Sequence, residues 1–271
     1  MCEQKKKFQQ IYLEITNICN LSCPFCRNDS RSKQFMSLEK VKKYIDDCAK
    51  FTDSFYLHVK GEPLLHPDFK EIMAYLALKE IKTKITTNGT LLDKMGDEIL
   101  KHQNIKHINI SLQSFVYLSA KEQEAYLINL KAFLNKITHQ YVYLRNWIDN
   151  ASLNDKIKEM FEIDSLSNNQ NLKEHVIYST QSEFTWPNDE KTHKSKGPCL
   201  GGKKQLAILV NGDVVLCCLD DEAKTKIGNL NCESLDTILK SDLYRLSTTQ
   251  MPYFDLCQKC GFRIRFIKED V

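Results

Sequence analysis

Between Tyr12 and Tyr178, short runs of β-branched and aromatic residues alternate with longer segments of helical period. That alternation predicts βα units feeding a parallel sheet. Strands are expected at residues 11–16, 55–59, 84–87, 107–112, 141–144 and 176–178, with helices opening near Ser37, Asp68, Leu91, Ser119 and Ser152. Ser37 suits an N-cap, although Lys40 stands where a capping-box Glu would sit. Six units are too few for a closed eight-stranded barrel, so the expected class is α/β, a partial (β/α)6 parallel barrel. Such sheets bind ligands beyond the C-terminal ends of their strands.

After Gln181 the pattern changes. The stretch to Pro198 is polar and holds Pro187 and Gly197, which suits a crossing between domains. A division into residues 1–185 and 186–271 follows. In the second part, residues 205–210, the pair Asn211-Gly212 and residues 213–217 predict a β-hairpin with an Asn-Gly turn. A short helix near residues 235–240 and the knuckle Cys257-Gln258-Lys259-Cys260 complete a small α+β, cysteine-rich domain.

Composition narrows the function classes. With 271 residues, 42% hydrophobic and 27% charged, the chain can bury a large core, and disorder is not expected. A formal charge of +3, spread along the chain, gives no footprint for nucleic acid or an anionic membrane. Lys5, Lys6 and Lys7 fit a solvated arm. Residues 206–210 and 214–219, the longest apolar runs, are too short to span a bilayer, and Glu3 with the lysines occupies the place of a signal-peptide core. A cytoplasmic protein is expected, in which eleven cysteines favour metal or redox work over disulfides.

Cys19, Cys23 and Cys26 begin just past the first expected strand, where an active-site loop would lie. Three thiolates can hold a [4Fe–4S] cubane and leave one iron open to chelate another molecule. A zinc knuckle is the competing reading, but it would need a second pair of ligands, and the nearest further thiol, Cys48, falls on an expected helix. This CX3CX2C triad, with Phe25 before its last cysteine, resembles the radical SAM superfamily.

Further pieces fall at successive strand ends. Gly61-Glu62-Pro63 is similar to that family's GGEP motif, which contacts the amino group of the S-adenosylmethionine (SAM) methionine. Thr87-Asn88-Gly89, and Ser111 with Gln113, resemble positions that line the SAM pocket and its ribose. The sequence departs from the motif at its first glycine, which is Lys60, and a lysine cannot take glycine's open backbone conformations as cheaply. His58 and His66 flank the motif and suit structural or solvated roles better than ligation. The resemblance implies reductive cleavage of SAM to a 5′-deoxyadenosyl radical that abstracts a substrate hydrogen.

Cys199, Cys217, Cys257 and Cys260 provide four more thiols, by count equally suited to a cubane or to zinc. Their spacing about Gly212, with Ile227-Gly228-Asn229-Leu230 and Ser234-Leu235, resembles the SPASM domain in its shortened, Twitch-type form with one auxiliary [4Fe–4S] cluster. The overall plan is similar to that of the 2-deoxy-scyllo-inosamine dehydrogenases. Strand alternation would point Cys217 and Cys218 to opposite faces, so Cys217 is taken as the ligand. Cys2, Cys48 and Cys232 are expected as free thiols.

A second cluster with four protein ligands suits electron transfer, so oxidation of a small metabolite resembling an amino sugar or cyclitol is expected. A flavodoxin- or ferredoxin-type electron donor is implied by the family. Arg145, ending the fifth strand, could hold an anionic substrate or assist deprotonation, or it could cap the strand or pair with Asp149. A peptide-modifying SPASM-type enzyme is the alternative, although only 18 residues precede Cys19 where a leader-binding domain would stand. A non-enzymatic four-cysteine zinc protein is a third reading.

Overall fold

A computed structural model describes residues 6–26, 30–148, 150–180, 187 and 197–266. In chain order these form β1 (Gln10–Leu13), α1 (Leu38–Cys48), β2 (Ser54–Tyr56), α2 (Phe69–Leu78), β3 (Lys82–Thr87), α3 (Leu92–Lys101), β4 (Ile105–Ser111), α4 (Ala120–Asn135), β5 (Tyr141–Asn146), α5 (Ala151–Phe161), β6 (Gln170–Lys173) and β7 (Val176–Thr180). There follow β8 (Gln205–Ile208), β9 (Asp213–Val215), β10 (Lys226–Asn229), α6 (Leu235–Lys240), α7 (Asp242–Thr249) and α8 (Asp255–Lys259). The protein is mixed α/β with largely parallel strand pairing. Each of the six expected strands is present, as β1 to β5 and β7.

By compactness the chain divides into two units. The first comprises Met1–Ile18, Arg27–Gly61 and Thr185–Val271; the second, Cys19–Cys26 and Glu62–Phe184. The early and late segments of the first unit group together because β8 pairs in parallel with β1, from Gln10 opposite Gln205 to Leu13 opposite Ile208. Position 185, where the sequence suggests a division, lies outside the described residues.

In the first unit the strand order is β10-β9-β8-β1-β2, antiparallel as far as β8 and parallel beyond it. The hairpin turn differs from a two-residue Asn-Gly turn. Gly212 N–H donates to the Leu209 carbonyl and Gly212 has φ +90°, so Val210 and Asn211 are the turn's centre and the glycine takes the left-handed position after it. Helix α1 turns Val41, Tyr44, Ile45 and Cys48 inward. Its outer end is tied to the segment before α6, where Tyr44 donates to Asn231 at 2.8 Å and Asp47 accepts from Leu235 N–H at 2.7 Å.

In the second unit the order is β3-β4-β5-β7-β6, parallel except for the β6–β7 edge. Alternation sorts these strands cleanly: Ile85, Ile108, Ile110, Val142, Leu144 and Val176 are fully buried, while Lys84, His107, Tyr143 and Arg145 lie half-buried on the other face. Helix α4 opens with a complete capping box, Ser119 with Glu122. Among the described residues no helix is long and apolar enough to cross a membrane.

Candidate active site

The second unit gathers most of the sequence-predicted residues at strand ends. Thr87 and Ser111 are the last residues of β3 and β4, Asn88 follows β3, and Gln113 lies in the 3-10 turn Leu112–Tyr117 directly after β4. Glu62 caps a second 3-10 turn, Pro63–Leu65, with Pro63 at its first position. The triad occupies the loop 19–26, where Cys26 N–H donates to the Cys23 carbonyl at 2.9 Å. Phe25, in the same loop, places its ring 5.9 Å from Tyr117.

Asn88 links the parts. Its backbone N–H donates to Glu62 Oε2 at 2.7 Å, and its amide approaches Cys19 Sγ at 3.7 Å and donates to Asn20 Oδ1 at 2.9 Å. Its own Oδ1 accepts from both the N–H and the hydroxyl of Thr90, which fixes the rotamer. The motif carboxylate, the third-strand asparagine and the first cysteine of the triad are therefore one hydrogen-bonded set.

Glu62 is 1% exposed. Burial pushes its carboxyl up to about 7, against the N–H groups of Asn88 and Leu64 and the Thr87 hydroxyl, which favour the ionised form. Cys19 is raised too, by partial desolvation although its side chain lies at the surface, helped by the charges of Glu62 and Cys26 and opposed by Leu21 N–H and the Asn88 amide. Cys23 is pushed up to about 11 by burial and by Cys19 and Cys26, with the Ser114 hydroxyl easing it. Ligation to iron would offset these shifts, because a metal stabilises the thiolate form.

The donor set fits its expected groups. Three thiols within each other's field suit a cubane, which spreads its thiolates over separate irons. Among the described residues no three His, Cys, Asp or Glu side chains converge on one point as a single ion would require. Gln113 Oε1 is buried without a hydrogen-bond partner in the protein, an acceptor suited to a hydroxyl such as that of a ribose.

Gly61 has φ +75°, and a Cβ there would meet the Thr16 carbonyl at 2.4 Å, so glycine is obligatory. Lys60 is different. It is not among the residues with positive φ, so replacing the motif's first glycine costs no backbone strain. Its side chain is buried and pairs with Asp221 at 3.4 Å, and its N–H donates to Glu14 Oε1 at 3.0 Å. Glu14 also takes a two-pronged pair from Arg31 and the N–H of Val210, which leaves no oxygen of this buried carboxylate idle.

His66 Nδ1 accepts from Asp68 N–H, and His58 sits edge-on to the stacked rings of Tyr12 and Tyr56, both structural arrangements. Arg145 lies opposite Ser111 on β4 and Ser179 on β7. Asp149, weighed as its partner, is outside the described residues.

In the first unit Cys199 is a charge neighbour of each of Cys217, Cys257 and Cys260. Cys257, on α8, is pushed up to about 12 by burial and by Cys199 and Cys260; burial, then the charges of Cys218, Cys199 and Cys257, raise Cys217 well above the usual range. Gly201, with no side chain, leaves room beside Cys199 and Cys217. Cys218 instead packs against Val59, Ala207, Leu209 and Val215. Cys48 is buried on α1 and Cys232 is exposed, while Cys2 is outside the described residues.

Asn20, Ser114, Glu14 and Asp221 were not singled out in the sequence. Asn20 stands inside the triad and Glu14 is a lone carboxylate in an apolar strand, which were available signals; the partners of Ser114 and Asp221 are remote in sequence.

Comparison with known proteins bears on this arrangement. Residues 13–140 match the family model of the Radical SAM superfamily, and residues 199–261 that of the SPASM iron-sulfur cluster-binding domain. The Fe-coproporphyrin III synthase of Methanosarcina barkeri is 33% identical over 111 residues, 40% of this chain and 28% of that protein. The probable GTP 3′,8-cyclase of Methanosarcina mazei is 37% identical over 117 residues, 40% of this chain and 34% of its own. The chain thus spans well under half the length of these curated relatives. Among solved structures, BtrN in complex with AdoMet and 2-DOIA is similar with a TM-score of 0.60 and 18% identity, over 95% of this chain and 94% of that one. Streptococcus suis SuiB bound to its precursor peptide SuiA gives 0.61 and 16%, over 94% and 71%. At such identities the likeness is one of fold.

Proposed function

Because the chain belongs to the radical SAM superfamily and carries a SPASM-type domain, we propose that it is an oxidoreductase acting on a small hydroxylated metabolite. When bound, a [4Fe–4S] cluster on Cys19, Cys23 and Cys26 together with SAM supplies a hydrogen-abstracting 5′-deoxyadenosyl radical, and a second cluster on Cys199, Cys217, Cys257 and Cys260 supplies a one-electron acceptor. Residues 1–185 form the radical domain in this reading, and residues 186–271 the auxiliary domain.

The protein's own residues bind and orient. Glu62 accepts the methionine ammonium, held by the N–H groups of Leu64 and Asn88. Thr87 and Asn88 shape the pocket wall, Ser111 and Gln113 meet the ribose, and Phe25, against Tyr117, stands beside the last cysteine of the triad. Arg145 orients the substrate beyond Ser111. A flavodoxin- or ferredoxin-type protein is the proposed electron donor.

The observation that carries the oxidative reading is the second set of four thiols, all from the protein, in which Cys199 is a charge neighbour of each of Cys217, Cys257 and Cys260. Anaerobic reconstitution followed by iron and sulfide analysis tests it. About eight irons per chain are expected, from two cubanes. Roughly four irons with one zinc would leave the substrate electron no acceptor and contradict the oxidoreductase assignment.

A further inference from the structure

The loop that carries the first triad is tied to the end of β3 by a closed ring of side-chain hydrogen bonds. The Asn88 amide nitrogen donates to Asn20 Oδ1 at 2.9 Å, the Asn20 amide nitrogen to Thr90 Oγ1 at 2.8 Å, and the Thr90 hydroxyl to Asn88 Oδ1 at 2.7 Å. Asn20 directly follows Cys19, while Asn88 and Thr90 stand just past β3.

The ring determines which way the Asn88 amide points. Thr90 N–H, which can only donate, lies 2.9 Å from Asn88 Oδ1, so that end of the amide is the oxygen and the other is the NH2 group. One of its hydrogens goes to Asn20, and the other is directed at Cys19 Sγ, 3.7 Å away. The same sulfur accepts from Leu21 N–H at 3.5 Å. Asn88 is also held through its backbone, whose N–H donates to the buried Glu62 carboxylate at 2.7 Å. Main chain and side chain are both fixed, so the donor facing Cys19 is in place before a thiolate forms. Lining a pocket wall would leave this donor unused.

We propose that Asn88, locked by Asn20 and Thr90, is a positioning residue for the radical chemistry: its amide N–H donates to the Cys19 thiolate and raises the reduction potential of the cluster that the triad holds. The physical reason is charge. A reduced cluster carries one more negative charge than an oxidised one, spread in part over its thiolate sulfurs, so a fixed donor stabilises the reduced form more. Leu21 supplies a backbone donor whatever its side chain, whereas Asn88 supplies one that depends on residue type. The proposal rests on the radical SAM reading of the triad.

The test is a potentiometric titration of the anaerobically reconstituted full chain without SAM, followed by electron paramagnetic resonance. Adding SAM to a separate wild-type sample identifies the triad's signal as the one that changes, since only that cluster has an open iron. Asn88→Ala is expected to shift its one-electron equilibrium about tenfold toward the oxidised form, which lowers the midpoint by about 59 mV. Asn20→Ala breaks the ring but leaves the Asn88 amide beside Cys19, so it should lower the midpoint by less. The second cluster's midpoint should not move. A wild-type measurement avoids any effect of the variants on folding: with asparagine labelled by 15N in its side-chain amide, pulsed resonance should show the reduced triad cluster coupled to that nitrogen.

A triad midpoint unchanged in Asn88→Ala would overturn the proposal, even if less iron is bound, because Asn88 would then be only a clasp for the loop. A wild-type cluster without the nitrogen coupling would overturn it as well. Iron and sulfide content separates the two readings. A wild type with no cubane at the triad refutes the radical SAM reading, whereas a cubane whose midpoint ignores Asn88 refutes the donor role alone.

Discussion

Glu62, proposed above to receive the SAM ammonium, is completely buried, and burial holds its pKa near 7. An ammonium is accepted by the carboxylate, so below that value binding of SAM must first release a proton. SAM affinity is therefore expected to rise with pH up to about 7 and then level off. Glu62→Gln should abolish the pH dependence and cost about 1.5–3 kcal/mol of binding. Calorimetry in buffers of different ionisation enthalpy checks this; a flat wild-type profile across that range would reject the role. The same shift has a stability consequence. The folded state holds its proton more tightly than the unfolded one, so this contribution is present at low pH and is lost as pH rises from 4.5 through about 7, by about 3 kcal/mol. The Glu62 and Asn88 positions were legible as motifs. That one bonds the other, and that Asn88 reaches Cys19, was not, because those contacts join residues 26 and 69 apart in sequence.

At the scale of elements, the end of β2 is fixed by a buried ion pair. Lys60 and Asp221 are 5% and 0% exposed, so neither charge has water to fall back on. Removing one partner strands the other. Asp221→Leu is expected to destabilise the protein by about 3–5 kcal/mol, and adding Lys60→Met should recover most of the loss, since an apolar pair of similar volume avoids the desolvation cost. Thermal unfolding of the two variants tests this; a double variant no more stable than Asp221→Leu would contradict it. Lys60 looked in the sequence like a poor substitute for glycine, because its partner lies 161 positions away and a motif shows only neighbours. The regular elements were far more visible. Strands with one buried face carry alternation, and α6 spans the expected residues 235–240. What escaped has reasons. Edge strand β6 is polar but for Leu172, and α7 ends in Ser-Thr-Thr, residues of low helix preference. Helix α5 starts from Asn150, whose side chain accepts from Leu153 N–H, rather than at Ser152.

For the whole molecule, the sequence order of the cysteines was enough to separate two sets, and each set is drawn together in its own unit. Within the second set, strand alternation alone had favoured Cys217 over Cys218; Cys218 packs against Val59 and Ala207, while Cys217 has Cys199 and Cys257 as well as Cys218 among its charge neighbours. The grouping of residues before Gly61 with those after Thr185 had no signal in the sequence, since parallel pairing of β1 with β8 depends on chain ends 195 positions apart. Everything proposed for substrate and second cluster depends on the first triad. The most direct measurement is therefore 5′-deoxyadenosine formation from SAM under anaerobic reduction, by the wild type and by the Cys19→Ala, Cys23→Ala, Cys26→Ala triple variant. The wild type should form it and the variant should not. A variant that still cleaves SAM, or a reconstituted wild type that does not, would contradict the assignment.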